Sequence, residues 1–251
     1  MRIDTYLFEK GFASSRTKAK ELIDSGRIKV NGNVVTKSSF DVTDEAEIIL
    51  EPSDKTKFVG RGGLKLEAAL DAFGIDCKGK ICADIGASTG GFTDCLLKRG
   101  AEKVFAIDSG TGQLVKELLE NSRVISIEGM NARYMTRDDL NGEGVSLVVM
   151  DVSFISQKLI YPAIKNIALD GADIVTLIKP QFEAGRENIG KNGIVKNDKI
   201  RLKVIEDITE NAKLFGFERL GLIESPIKGG SGNTEYLIHL KHTQKGDNND
   251  N

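Results

Sequence analysis

Apolar positions along the chain follow two different periods. Within residues 14–24, Ala19, Leu22 and Ile23 fall on one helical face, while Arg16, Lys18 and Lys20 spread over the remaining surface. Ser14 or Ser15 supplies an N-cap and Gly26 a stop. The following RIKVNGNVV reads as two short strands around Asn31-Gly32, because a type I′ turn needs positive φ at both central residues. A third strand over residues 46–50 completes a small sheet. From residue 80 the pattern becomes a series of short apolar runs, ICADI, KVFAID, VISI, VSLVVMD and DIVTLIK, each followed by a turn or helical segment. That alternation predicts a parallel α/β sheet. A long helix over 198–214 then precedes FERLGLIES and NTEYLIHLK, two strands joined only by a loop, so an antiparallel edge is expected on the parallel sheet.

Composition changes this picture in one place. The 251 residues carry a formal charge of −2 with 40% hydrophobic residues, an ordinary globular balance. Residues 1–40, however, set Arg2, Lys10, Arg16, Lys18, Lys20, Arg27, Lys29 and Lys37 against only Asp4, Glu9, Glu21 and Asp24. A positive excess confined to one small segment of an acidic chain is the electrostatic footprint of a nucleic-acid contact. No apolar run approaches the 18 residues of a membrane helix. Asp4, Glu9 and Lys10 interrupt the N-terminus where a secretory leader needs an apolar core, so a cytoplasmic protein is expected. Cys77, Cys82 and Cys95 fit neither a disulfide framework nor a C-x-x-C zinc pair and are read as reduced thiols. His239 and His242 lack a third ligand nearby, so no metal is expected.

The first 50 residues carry a resemblance. R-I-D-x-x-L at 2–7, S-R-x-x-A-x-x-L-I at 15–23 and G-R-I-K-V-N-G at 26–32 resemble an S4 RNA-binding domain. The resemblance implies RNA contacts from Arg2, Arg16, Lys18, Lys20, Arg27 and Lys29. The expected organisation is an S4-like α+β domain over 1–51, a polar linker over 52–60, a Rossmann-like α/β domain over 61–243 and a polar tail over 244–251.

The first strand of the large domain runs into Asp84-Ile85-Gly86-Ala87-Ser88-Thr89-Gly90-Gly91-Phe92, a glycine-rich turn leading into a helix and therefore a ligand-loop candidate. Its G-x-x-x-G-G spacing is not the G-x-G-x-x-G of a pyrophosphate site, and the acid before it suits a cation better than a phosphate. The next strand ends in Asp108, placed to accept hydrogen bonds from both ribose hydroxyls of an adenosine ligand. Together these acids point to S-adenosylmethionine, which carries an ammonium and a sulfonium but no phosphate. Asn131, after the third strand, is a candidate either for the adenine edge or for a helix cap.

Ligands of open α/β sheets bind beyond the carboxyl ends of the strands, where two charges abut apolar runs: Asp151 after VSLVVM and Lys179 after IVTLI. With Lys65 in GRGGLKL and Glu235 in SGNTEYL they resemble the Lys-Asp-Lys-Glu tetrad of FtsJ-type ribose 2′-O-methyltransferases. Across essentially the whole chain, GRGGLKL, DIGASTGGFTD, MDVSFIS, IKPQFEAGR and SGNTEYL beside the S4 segment resemble the haemolysin A (TlyA-type) family of ribosomal RNA cytidine-2′-O-methyltransferases. The resemblance implies Lys179 as base or hydroxyl-orienting group, a role suited to a lysine that is desolvated and crowded by another cation. It further implies Asp151 and Glu235 as holders of the lysines, and Lys65 as support for the hydroxyl or a phosphate. Ribosomal RNA or a ribosomal subunit is the expected partner, with phosphate contacts from Arg61, Arg186, Lys191 and Lys228 weighed against simple loop charge. Two rivals stand: a non-catalytic RNA-binding or ribosome-assembly factor, and a dinucleotide oxidoreductase, which the glycine spacing disfavours.

Overall fold

The computed structural model describes residues 1–13, 15–24, 26–50, 57–190, 193–229 and 232–243, apart from the side chains of Glu21 and Asp24. Ser14, the expected linker stretch 52–56, Lys191 and the expected tail 244–251 lie outside the described residues. The chain forms two compact units, Met1–Lys57 and Phe58–Asn251.

In the first unit, α1 (Ile3–Glu9) and α2 (Arg16–Asp24) precede the strands β1 (Ile28–Val30), β2 (Asn33–Val35) and β3 (Ile48–Leu50). The Ser15 hydroxyl accepts the Lys18 amide at 3.1 Å and so caps α2. Ala19, Leu22 and Ile23 face inward, packing with Ile3, Leu7 and Ile28 in the core of this unit. Asn31 and Gly32 adopt φ of 49° and 79°, closing a hairpin in which Val30 pairs with Asn33. The sheet order is β2-β1-β3, all antiparallel. The third strand opens at Ile48, two residues later than expected, because the Ala46 amide turns back to Thr43 and the Glu47 amide donates to Asn31 Oδ1.

The second unit contains α3 (Gly62–Phe73), β4 (Ile81–Ile85), α4 (Gly91–Lys98), β5 (Lys103–Ile107), α5 (Lys116–Leu119), β6 (Val124–Ile127), β7 (Val145–Met150), α6 (Tyr161–Ile167), β8 (Ala168–Ile178), α7 (Pro180–Glu183), α8 (Asp198–Lys213), β9 (Phe217–Glu224) and β10 (Tyr236–His242). It takes in part of the expected linker: Phe58 is buried and the Val59 amide donates to Asp94. The seven strands lie in the order β6-β5-β4-β7-β8-β10-β9. Strands β4 to β8 pair in parallel, and β10 runs antiparallel to both β8 and β9, giving the expected edge. Side-chain alternation along β4 assigns the two faces. Ala83 and Ile85 join a core with α6 and α8, whereas Cys82 joins one with α3 and α4. Strand β8 starts five residues before the expected DIVTLIK run, since α6 passes directly into it through a register shift between Val145 and Leu147. The histidines belong to the fold: His239 Nε2 lies 3.0 Å from Asp173, and His242 Nδ1 lies 3.0 Å from the Leu169 carbonyl.

The chain proceeds outward from β4 through β5 to β6, then returns to β4's other side as β7. This reversal opens a crevice beyond the carboxyl ends of β4 and β7.

Candidate active site

The glycine-rich turn sits at that reversal. Gly86, Ser88 and Gly90 have φ of 85°, 49° and 99°, so the turn winds through left-handed conformations before α4 begins. A Cβ on Gly86 would stand 2.5 Å from the Asp151 carbonyl oxygen, the point where the ends of β4 and β7 meet. Four of the turn's amides are engaged internally. Those of Gly86 and Ala87 donate to Ile107, that of Ser88 to Asp108 Oδ2 at 2.8 Å, and that of Gly90 to Ala87. A pyrophosphate loop aims such amides at its ligand, so their engagement disfavours a dinucleotide here.

Two adjoining cavities open over the turn. One, of about 340 Å³, has Asp108, Gln113, Met130, Asn131 and Ile155 in its wall. The other, of about 230 Å³, is bounded by Arg61, Ala87, Thr89, Gly91, Phe92 and Lys179. Gly86, Ser88, Asp151 and Ser153 line both. Asp108 holds the Ser88 amide on one oxygen and the Gly110 amide, at 2.7 Å, on the other, leaving a lone pair on each for ligand hydroxyls. Asn131 is both cap and wall: its side chain accepts the Arg133 amide at 3.2 Å while it lines the larger cavity.

Asp84 and Gly90 line neither cavity, nor do Lys65 and Glu235. Asp84 is fully buried, with Oδ2 accepting the Thr93 hydroxyl at 2.6 Å and Oδ1 without a hydrogen-bond partner among the described residues. Burial above all, with the nearby Asp151 and Asp108 charges, pushes its carboxyl up to about 7 against the Thr93 hydrogen bond. Gly90 is a packing position, where a Cβ would run into Leu118 and Leu114. Gln113 escaped the sequence reading. The only signal for it was a polar residue in the loop after Asp108.

The four charged candidates converge as two pairs. Lys65, on α3, reaches Glu235 at 2.5 Å, and both are buried. Lys179 reaches Asp151 at 2.5 Å and donates to Ser153 Oγ at 2.9 Å. Sheet register explains the convergence. Tyr236 pairs with Ile178, so Glu235 and Lys179 follow at adjacent strand ends, and β7 delivers Asp151 beside β8. The partners of Lys179 are thus a carboxylate and a hydroxyl rather than the crowding cation expected of it. Phe154, at φ of 63° and 90% exposed, stacks near Phe182 with ring centroids 4.9 Å apart.

In the first unit, Arg2 and Arg16 both bind Asp4, at 3.0 and 3.1 Å, and remain about half exposed. Part of their charge therefore serves α1 and α2 themselves. Lys18 and Lys20 are exposed, Arg27 and Lys29 partly so. In the second unit Arg61 lines the smaller cavity, while Arg186 and Lys228 are exposed loop residues.

Comparison with known proteins decides the family. Residues 58–242 match the FtsJ-like methyltransferase family, and residues 1–48 match the S4 domain. The chain belongs to the FtsJ-like methyltransferases. This methyltransferase is 46% identical over 240 residues to Hemolysin A of Brachyspira hyodysenteriae, covering 96% of this chain and 99% of that protein. It is 40% identical over 240 residues to the 16S/23S rRNA (cytidine-2′-O)-methyltransferase TlyA of Mycobacterium tuberculosis, covering 96% and 89% of the two chains. A solved structure from Streptococcus thermophilus, which also carries a hemolysin name, aligns with a TM-score of 0.78 and 45% identity over 97% of this chain and 89% of its own. No helix among the described residues is long and apolar enough to cross a membrane.

Proposed function

We propose that this FtsJ-like methyltransferase transfers a methyl group from S-adenosylmethionine to the 2′-hydroxyl of a cytidine in ribosomal RNA, its S4 unit binding the RNA. The observation that carries the reading is the meeting of Lys179, Asp151 and Ser153 with the glycine-rich turn at the junction of the two cavities. The cofactor half fits a phosphate-free adenosine ligand, because the turn offers engaged amides while Asp108 keeps acceptor capacity for ribose hydroxyls. Gln113, Met130 and Asn131 would flank the base, and the smaller cavity would take the amino-acid end.

When bound, the cofactor supplies an electrophilic methyl on a sulfonium, which leaves as a neutral thioether. The chain's own residues supply alignment. Lys179 Nζ, ion-paired with Asp151, orients the 2′-hydroxyl by donating a hydrogen bond to its oxygen, and the hydroxyl proton, made acidic as the oxygen forms its bond to carbon, passes to water. The Lys65–Glu235 pair fixes α3 to the end of β10. Positioning of this kind replaces a bimolecular encounter with an aligned one.

The test is mass-spectrometric mapping of ribose methylation after incubating S-adenosylmethionine and unmethylated ribosomal subunits with the full chain. A new 2′-O-methylcytidine is expected. A map unchanged at every ribose would defeat the reading.

A further inference from the structure

We infer that Glu183 is a positioning residue of the transfer site, latching the 151–157 loop to the segment after Lys179 so that Ser153 and Lys179 stay in register. The inference rests on the proposed role of Lys179.

Three residues of the second stretch, Lys179, Phe182 and Glu183, reach the first. Lys179 donates to Ser153 Oγ at 2.9 Å, and Phe182 packs on Phe154. Glu183 accepts the Ser156 hydroxyl at 2.6 Å on one carboxylate oxygen and the Gln157 amide at 2.9 Å on the other. Lys179 is the extended N-cap residue of α7, and Phe182 and Glu183 close its single turn. Glu183 therefore anchors the base of the loop whose tip carries Ser153 and Phe154.

A carboxylate is an expensive choice for that anchor. Burial raises the Glu183 carboxyl above its usual range, against the opposing pull of its hydrogen bonds to the Ser156 hydroxyl and Gln157 amide and of the nearby Lys158 charge. What it secures is a strained loop. Phe154 holds a left-handed φ that an aromatic residue rarely adopts, and its ring is almost wholly exposed, so core packing does not impose that conformation. Below the loop, the anchor passes into the core through Gln157, whose Oε1 accepts from Tyr161 and Thr176. Thr176 belongs to β8, three residues before Lys179. The loop and the lysine are thus referenced to the same strand.

The experiment compares the full chain with Glu183→Gln and Glu183→Ala, measuring single-turnover methyl transfer to ribosomal subunits at saturating S-adenosylmethionine, with cofactor affinity by calorimetry and thermal melts. Glutamine can still accept the Gln157 amide and bond the Ser156 hydroxyl, so it should hold the rate within about threefold of wild type. Alanine should slow the step roughly ten- to hundredfold, the scale of a misplacement near 1 Å, with cofactor affinity within about threefold. Should alanine not fold, Ser156→Ala, which removes one of the two anchor bonds, should slow transfer by about three- to tenfold. Wild-type rates in the alanine and serine variants, or a glutamine variant as slow as alanine, would overturn the latch. Failure of the wild type itself to methylate RNA would instead remove the functional reading on which the latch rests.

Discussion

At Lys179 a surface charge and an orienting ammonium make opposite demands. Its side chain is only 12% exposed and is held by Asp151 and Ser153. Lys179→Ala should therefore lower single-turnover transfer by about 10²-fold or more, with melting preserved. Lys179→Arg should not restore it, because a guanidinium presents a wider planar head than the compact ammonium held beside Asp151. Wild-type rates in the alanine variant would return the residue to the surface. Asp84 makes a different claim. Its carboxyl is raised from an ordinary 3.8 to about 7, chiefly by burial. Between those values the folded chain keeps a proton that the unfolded chain releases, so stability is greatest below the lower value and falls as pH rises toward the upper. The slope is at most about 1.4 kcal/mol per pH unit. Asp84→Asn cannot ionise and keeps an acceptor for Thr93. Urea midpoints from pH 5 to 8 should decline less for this variant than for wild type, and identical slopes would show that Asp84 titrates normally.

Among the elements, the junction of β4 with β7 carries a geometric demand set by backbone rather than by a movable side chain. Gly86 combines φ of 85° with a carbonyl 2.5 Å from where a Cβ would lie. Gly86→Ala must therefore displace the Asp151 backbone, and with it the anchor of Lys179. Gly112 has φ of 65° but nothing within 4 Å of a Cβ, so Gly112→Ala adds conformational strain alone. The expected cost is about 1–2 kcal/mol at Gly112 and about 2–5 kcal/mol at Gly86, the latter with loss of transfer. Thermal melts of the two variants check the order. Equal losses would mean that the β4–β7 contact gives way without consequence. Here the sequence was readable in part: DIGASTGG marked a ligand turn, but its spacing alone did not reveal that β7's carbonyl closes on the first glycine. That contact depends on which strand pairs beside β4.

At the scale of the molecule, the two units have separate cores, one built on Ile3, Leu7, Ile23 and Ile28 and the other on both faces of the seven-stranded sheet. Removing residues 1–57 should leave S-adenosylmethionine affinity unchanged while weakening RNA binding. Released counterions make phosphate binding fall with salt, so the full chain should show a steeper slope of log affinity against log salt than the shortened chain. Parallel slopes would move the main RNA contact to the methyltransferase unit, where Arg61, Arg186 and Lys228 are candidate cations.

Local chemistry made much of this protein legible in one dimension. Asn31-Gly32 specified its hairpin, Ala19, Leu22 and Ile23 their helix face, and the apolar runs five parallel strands, since turn preference and side-chain period act within a few residues. The tetrad residues also stood out, but only as charges at strand ends. Tertiary structure decided how they pair, because Lys65 and Glu235 are 170 residues apart and meet only through the packing of α3 on the sheet and the register of β10 on β8. It likewise decided that Asp84 is sealed inside with Thr93, that Arg2 and Arg16 share Asp4, and that Ser153 and Glu183 join the site at all. Burial and partnership belong to sheet order and register, which depend on the whole chain at once.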